Sequence, residues 1–575
     1  MLVGRYCRSF CRFMSFFSFL GALSLGGDSV VFSWEVVRFS SLSLSIDFYL
    51  DAVGLVFSGV VLYIAKSVFH FSDAYMGSSV HPIRFHSLLM CFVISMILFI
   101  FIPNLFGLMI GWDGLGIFSF LLVLFYPCHS SLSAGLITGL TNRLGDSFLI
   151  LALFKGLLVW GSSSLGAGFL GVASFEASYR SGWLSEPSSP FCSWLPRAMA
   201  APTPVSSPVH SSTLVTAGVF LMVRYHDSLS GSSLSLLQWA SLMTMLISGL
   251  NACVEYDMKK VVALSTLSQV SFMMFAVSMG FPLLGFFHLI SHAVTKALLF
   301  ICVGLVILSY SQDLRRLGAS FLGAEGIKWY FGGACIGLCG FPFISGFYSK
   351  DAVIESIFFS GVGYCGFFIF FVSVLNCCYY SARLFPCSFS VGATLEGGKG
   401  GLVLFVMEGV LVLMTFIVIV GAFFYWVLGK GEKGCGFFYV MPCMFPCHVS
   451  KALILSICPF GFWAFWLLGG HKDGLGVRDA LVVGRSGWSS GRESFVRELG
   501  FLDGLSGQPL VYSGMVLSES VNASMDQGLL ETYGPGGVAR AFKSLLNYNE
   551  IMCNHWLALF FLVYMVEVVF WIGIS

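Results

Sequence analysis

A chain of 575 residues that is 57% hydrophobic and only 10% charged falls far below the about 25% charge of an ordinary soluble domain; its mean hydropathy is +0.87. With 30 basic and 29 acidic residues the net charge is +1, which argues against nucleic acid or another polyanion as partner. Lipid is the solvent that such a composition needs. The 18 cysteines show no iron–sulfur spacing. Cys443, Cys447 and His448 come nearest to a metal pattern but have no second ligand pair, so the thiols read as small apolar filler.

In chain order, Arg5, Arg8 and Arg12 precede an apolar stretch that ends near Leu25. Without a small-x-small cleavage site, and with apolar spans following, a retained first membrane helix is expected here rather than a signal peptide. Further spans are expected near 48–68, 86–103, 104–126, 134–160, 209–224, 236–254 and 261–280, then near 282–309, 328–347, 352–380, 401–428, 451–469 and 553–574. With a weaker span near 165–177, the reading is an all-α polytopic membrane protein of about fifteen transmembrane helices, each of roughly 20 apolar residues. Between 470 and 554 the chain turns polar, with Arg478, Asp479, Arg485, Arg492, Glu493 and Arg497. An amphipathic interfacial segment and an extramembrane loop both fit that stretch.

A charge near the bilayer centre costs about 2.5–3.5 kcal/mol on insertion scales, so ionisable residues inside the spans need partners or a task. His288, His292 and Lys296 lie in FFHLISHAVTKALLF. A spacing of four advances about 400° round a helix, so the three share one face about 6 Å apart. One water can bridge each gap, and histidine changes charge near neutral pH, which makes the trio a candidate proton relay. Asp113 lies in GWDGLGIFSFLL, where glycines at 111, 114 and 116 let a helix or water approach. Arg143 and Asp146 fall three apart in TNRLGD; they suit a structural ion pair as well as a functional one. Lys350 and Asp351 follow Gly340, Pro342 and Gly346, which weaken the helix there. An earlier span carries the same punctuation, with Pro202, Pro204 and Pro208 before His210. Two interrupted spans in comparable positions point to discontinuous helices at a transport site; ordinary proline kinks are the alternative.

GWDGLGIFSFLL, TNRLGD, SWLPRAMAAPTPVSSPVHSSTLVTAG, HLISHAVTKALLF and GFPFISGFYSKD, in that order, closely resemble the chain 5 family of mitochondrial NADH dehydrogenase (ubiquinone), an antiporter-like subunit of respiratory complex I. The likeness runs from about residue 47 to 355, and DQGLLETYGPGG fits the family's tail more loosely. The resemblance implies two inverted five-helix repeats, each with a broken helix. It places N-terminal helices at 1–103, the first repeat at 104–254 and the second at 255–380. More transmembrane helices follow at 381–470, then a polar segment and possible lateral helix at 471–552, and a final span at 553–575.

It further implies proton translocation coupled to NADH oxidation by ubiquinone, in the mitochondrial inner membrane. No cofactor is expected on this chain; NADH, FMN, iron–sulfur clusters and ubiquinone belong to other subunits. Chains 4 and 2 and their neighbours in the membrane arm are the implied partners. Asp113 falls where the family has a glutamate, His288, His292 and Lys296 match its central relay, and Lys350 matches the lysine of its second broken helix. Asp113, Arg143, Asp146, His288, His292, Lys296, Lys350 and Asp351 are thus the expected proton-relay residues. One stretch departs: where the family carries Lys-Ser-Ala-Gln, this sequence has Ser185 and Glu186, with Arg180 the nearest cation. A subunit of a multi-component sodium/proton antiporter shares these motifs, and an assembly scaffold with a degenerate channel fits the missing lysine.

Overall fold

A computed structural model describes residues 2–160, 192–309, 312–314, 325–359, 363–389, 409–418, 456, 459–463, 502–525 and 531–574, less residues 26, 27, 40, 41, 78, 227, 228 and 230. The weak span at 165–177, Arg180, Ser185, Glu186, the Cys443–Cys447–His448 group and residues 471–501 lie outside the described residues. The chain is mostly helical and forms two compact units, Met1–Gly500 and Phe501–Ser575.

Among the described residues, seven helices are long and apolar enough to cross a membrane: Ala52–Tyr75, Pro82–Phe101, Gly231–Val254, Met258–Ser278, Pro282–Leu308, Tyr364–Phe385 and Gly536–Val566. Their ends follow from local chemistry. Asp51 accepts the amide of Gly54 at 3.2 Å and starts the second helix. Pro82 opens the third, where its missing N–H costs nothing.

One departure from an all-α chain precedes that second helix. Val30–Phe39 and Leu42–Leu50 form an antiparallel hairpin in which Phe48, Tyr49 and Leu50 pair with Phe32, Val31 and Val30. The span expected from residue 48 therefore begins at Ala52. Alternating valines and aromatics favour the pleated conformation, and Asp51 stops it.

Two Gly-Phe-Pro sequences terminate helices by the same device. Gly280 and Gly340 both take positive φ, 89° and 86°. At the first, the amide of Gly280 bonds the Val277 carbonyl and that of Phe281 bonds Ala276. At the second, Gly340 bonds Gly337 and Phe341 bonds Ile336. Only glycine adopts this left-handed cap without strain. After Gly280 the next helix starts at once on Pro282. After Gly340 the chain stays open through Phe343, itself at φ 71°, and resumes at Ser345. The expected spans 328–347 and 352–380 are thus redistributed over Glu325–Cys339, Ser345–Phe359 and Tyr364–Phe389.

The proline-rich stretch is broken as well. Trp194–Ala198 and Thr203–Val205 are single turns, and Ser206–Thr213 is a π-helical segment that leads into Leu214–Arg224. Thr213 and Ser212 hydroxyls bond the Pro208 carbonyl at 2.7 and 3.0 Å. That segment ends on Arg224, which reaches Asp51 at 2.5 Å and the Ile100 carbonyl at 2.9 Å and lies over the Tyr49 ring.

The first helix, Leu2–Leu25, docks on the second through Gly4, where a Cβ would fall 2.2 Å from Asp73. Asp73 bonds Arg8 at 3.2 Å and His86 at 3.0 Å, all three largely buried. Asp73→Ala leaves Arg8 and His86 without their carboxylate partner and is expected to destabilise this corner by about 3–5 kcal/mol. Earlier thermal release of the first helix to protease would register it; parental resistance would show that the carboxylate holds nothing.

In the second unit, Leu502–Val521 is one helix and Pro535–Ile574 another of 40 residues. The longer helix runs unbroken through residues 552 and 553, joining the expected polar segment to the expected final span.

Candidate functional site

The helix Pro282–Ser309 packs against Met258–Ser278, both halves of the second broken helix, and the π-helical segment of the first. It carries His288, His292 and Lys296, each at most 2% exposed. The face that their spacing predicts therefore points into protein.

Each meets different partners. His288 Nδ1 faces the Ser349 hydroxyl at 2.9 Å, and its Nε2 faces Gln269 Oε1 at 3.1 Å. The Phe272 ring lies 4.9 Å from the His288 ring. His292 follows with its ring 6.3 Å from that of His288, and neither of its nitrogens has a hydrogen-bond partner among the described residues. Lys296 donates to the Ser265 hydroxyl.

Lys350 sits on Ser345–Phe359, just past the open turn, and donates to the Leu338 carbonyl exposed by that break. Its second partner is Cys377 Sγ at 3.3 Å. Gln269 Nε2 also donates to Cys377, at 3.0 Å, and to the Tyr380 hydroxyl at 3.3 Å. Tyr380 in turn donates to Cys377 at 3.0 Å and meets Ser268 at 3.2 Å. A continuous polar chain thus runs Lys350–Cys377–Gln269–His288–Ser349 through an interior otherwise lined by Phe272, Phe275 and Phe370. Asp351 and Glu355 are buried on the same helix, 7% and 5% exposed.

The other expected residues assemble elsewhere. Arg143 Nη1 bonds Asp113 at 3.2 Å and Asp146 at 2.7 Å, and Trp112 Nε1 donates to the second oxygen of Asp146 at 2.7 Å. The arginine is thus shared between the two carboxylates, and Asp113 has its cation. Asp146 is 10% exposed, Asp113 42% and Arg143 55%. Gly111 and Gly114 do admit a neighbour: a Cβ would meet the Phe99 backbone at 2.7 Å or Ser95 at 2.8 Å. Gly116 meets nothing within 4 Å. His210, on the π-helical segment, is 1% exposed with both ring nitrogens unpaired by the described residues and Trp194 beside it.

Sequence reasoning missed Ser265, Gln269, Ser349, Cys377 and Tyr380. Ser265 and Gln269 fall four apart on Met258–Ser278, and Cys377 and Tyr380 three apart on Tyr364–Phe389, but such spacings of neutral side chains are too common in this chain to single them out.

Residues 103–376 match the family described as NADH:quinone oxidoreductase/Mrp antiporter, transmembrane region, and residues 485–575 match the NADH dehydrogenase subunit 5 C-terminus. The fold is similar to a chain of the Mrp complex from Dietzia sp. DQ12-45-1b (TM-score 0.61, 20% identity, 91% of this chain and 62% of that one). It is also similar to a chain of respiratory complex I from Thermus thermophilus with bound aureothin (TM-score 0.56, 18% identity, 73% and 92%). The fold is that of an antiporter-like membrane protein. NADH-ubiquinone oxidoreductase chain 5 of Aedes aegypti is 35% identical, with 98% of this chain and 97% of the relative covered. That of Mytilus edulis is 37% identical over 92% and 91%. The chain belongs to the NADH-ubiquinone oxidoreductase chain 5 family.

Proposed function

We propose that this chain is the proton-translocating antiporter-like subunit of complex I in the mitochondrial inner membrane, working with chains 4 and 2 and their neighbours in the membrane arm. About fifteen spans in two inverted five-helix repeats, at 104–254 and 255–380, complete the architecture. Electrons pass from NADH to ubiquinone through FMN and iron–sulfur clusters in other subunits. This chain moves protons. The match of residues 485–575 to a subunit 5 C-terminus favours this reading over a subunit of a multi-component sodium/proton antiporter.

The observation that carries the proposal is the buried polar chain. Burying lysine at positions 296 and 350 is costly unless the charge has work to do. Protons enter the His288–His292–Lys296 face, with water at the His292 nitrogens bridging steps too long for direct contact, and reach Lys350 at the second break. Asp113, with Arg143 and Asp146, biases this relay electrostatically: a change of charge on Asp113 alters the field at the central helix. Asp351 neutralises part of the positive charge beside Lys350.

Lys350→Ala tests this in the assembled, membrane-reconstituted enzyme. Fewer protons moved per NADH oxidised is the expected result, with electron transfer to a soluble acceptor retained. An unchanged ratio refutes the relay.

A further inference from the structure

We propose that Cys377 is the proton-exchanging partner of Lys350, the two passing a proton between nitrogen and sulfur. The inference rests on the relay reading above. Its support is the company the sulfur keeps. Three donors converge on Cys377 Sγ: Lys350 Nζ at 3.3 Å, Gln269 Nε2 at 3.0 Å and the Tyr380 hydroxyl at 3.0 Å. The side chain is 4% exposed, so protein donors rather than bulk solvent surround the sulfur.

The other bonds of the cluster fix the direction of each donor. Gln269 Oε1 is taken by His288 Nε2, which leaves both amide hydrogens to point at Cys377 and Tyr380. Tyr380 accepts one of these and passes its own hydrogen to the sulfur. Lysine in its ammonium form has donors only. Three donors, one of them a cation, are the surroundings that a negative sulfur satisfies, since a neutral thiol is a weak acceptor. The neutral form is also provided for, because the thiol can give its hydrogen to the Leu338 carbonyl at 3.6 Å. Both protonation states therefore have hydrogen-bond partners in place without movement of the backbone.

The step balances simply. With the proton on nitrogen the pair is ammonium and thiolate; with it on sulfur the pair is amine and thiol. A second proton arriving along the relay converts ammonium–thiolate to ammonium–thiol, and its departure restores the first state. No oxidant or reductant takes part. His288, through Gln269, and Lys350 thus meet at a sulfur atom that a hydroxyl cannot replace, since serine does not ionise in the working range.

The test compares Cys377→Ser, Cys377→Ala and Lys350→Ala in the assembled, reconstituted enzyme. The proton-to-electron ratio of both cysteine variants should fall to that of Lys350→Ala, with complex content unchanged. An S–H stretching band that differs between resting and NADH-reduced enzyme should vanish in Cys377→Ser, a variant that keeps the shape of the site. A parental ratio in Cys377→Ser, whether or not Cys377→Ala is impaired, leaves the sulfur only a packing role and overturns the proposal. So does an infrared difference that is identical in parent and Cys377→Ser. A parental ratio in Lys350→Ala would instead overturn the relay itself.

Discussion

Lys296→Met is expected to abolish most of this subunit's proton transfer while leaving the complex assembled and no less stable. Lys296 is fully buried, and among the described residues it bonds one neutral hydroxyl, Ser265. An ammonium ion in such a place lacks the compensation that a carboxylate would give, and an apolar isostere in a buried charge's position is often neutral or stabilising. Methionine is unbranched, only one atom shorter and flexible enough to fill the space. Stability and function should therefore part company. Thermal melting of the purified complex should be unchanged or raised, and the protons moved per NADH oxidised should fall. A variant that melts early shows that the charge is structural; one that pumps at the parental ratio shows that Lys296 is not in the path.

The second large effect is expected at Gly346. A Cβ on this residue would lie 2.1 Å from the Gly337 carbonyl oxygen, a backbone atom that no rotamer change can move aside. The two halves of the broken helix cross at that point, and the crossing holds Lys350 one turn further on against Leu338. Over-packing a well-filled interior costs about 1–3 kcal/mol and sometimes more; a clash between backbones belongs at the upper end. Gly346→Ala should lower the melting temperature and reduce pumping together, because Lys350 leaves the Leu338 carbonyl and Cys377. Gly116→Ala serves as its control, with open space around the added methyl. Equal behaviour of the two variants would mean that the crossing has slack.

The parts of this site that were legible in the sequence are those that break a strong rule. Charge inside an apolar run is costly, so His288, His292, Lys296 and Lys350 stand out at once, and a four-residue spacing puts three of them on one face. Proline and glycine punctuation marked both interruptions. Neutral polar groups carry no such signal. Gln269, Ser349, Cys377 and Tyr380 cost little in a membrane helix and occur throughout the chain, so only the packing of Met258–Ser278 and Tyr364–Phe389 on either side reveals them as the link between His288 and Lys350.

Boundaries failed where composition is uniform. Phe341, Phe343 and Ile344 are as apolar as any helix interior, yet Gly340 had already turned the chain away. Likewise Phe48, Tyr49 and Leu50 read as the start of a span but belong to a strand, since apolarity alone does not separate the two periods. The Asp113–Arg143–Asp146 group was visible residue by residue; that one arginine serves both carboxylates emerges only from the helices that carry them.

The π-helical stretch Ser206–Thr213 fixes the rotational phase of everything after it. Each residue of an α-helix turns the chain by about 100°, and a π-turn holds one residue more than an α-turn. Deleting a single residue between Ser206 and Thr213 would let the segment relax to ordinary winding and would swing Leu214–Arg224 through about that angle. Arg224 would then lose Asp51 and the Ile100 carbonyl together. The irregular winding and the distant arginine anchor are two ends of one mechanical setting, so a change in the first displaces the second.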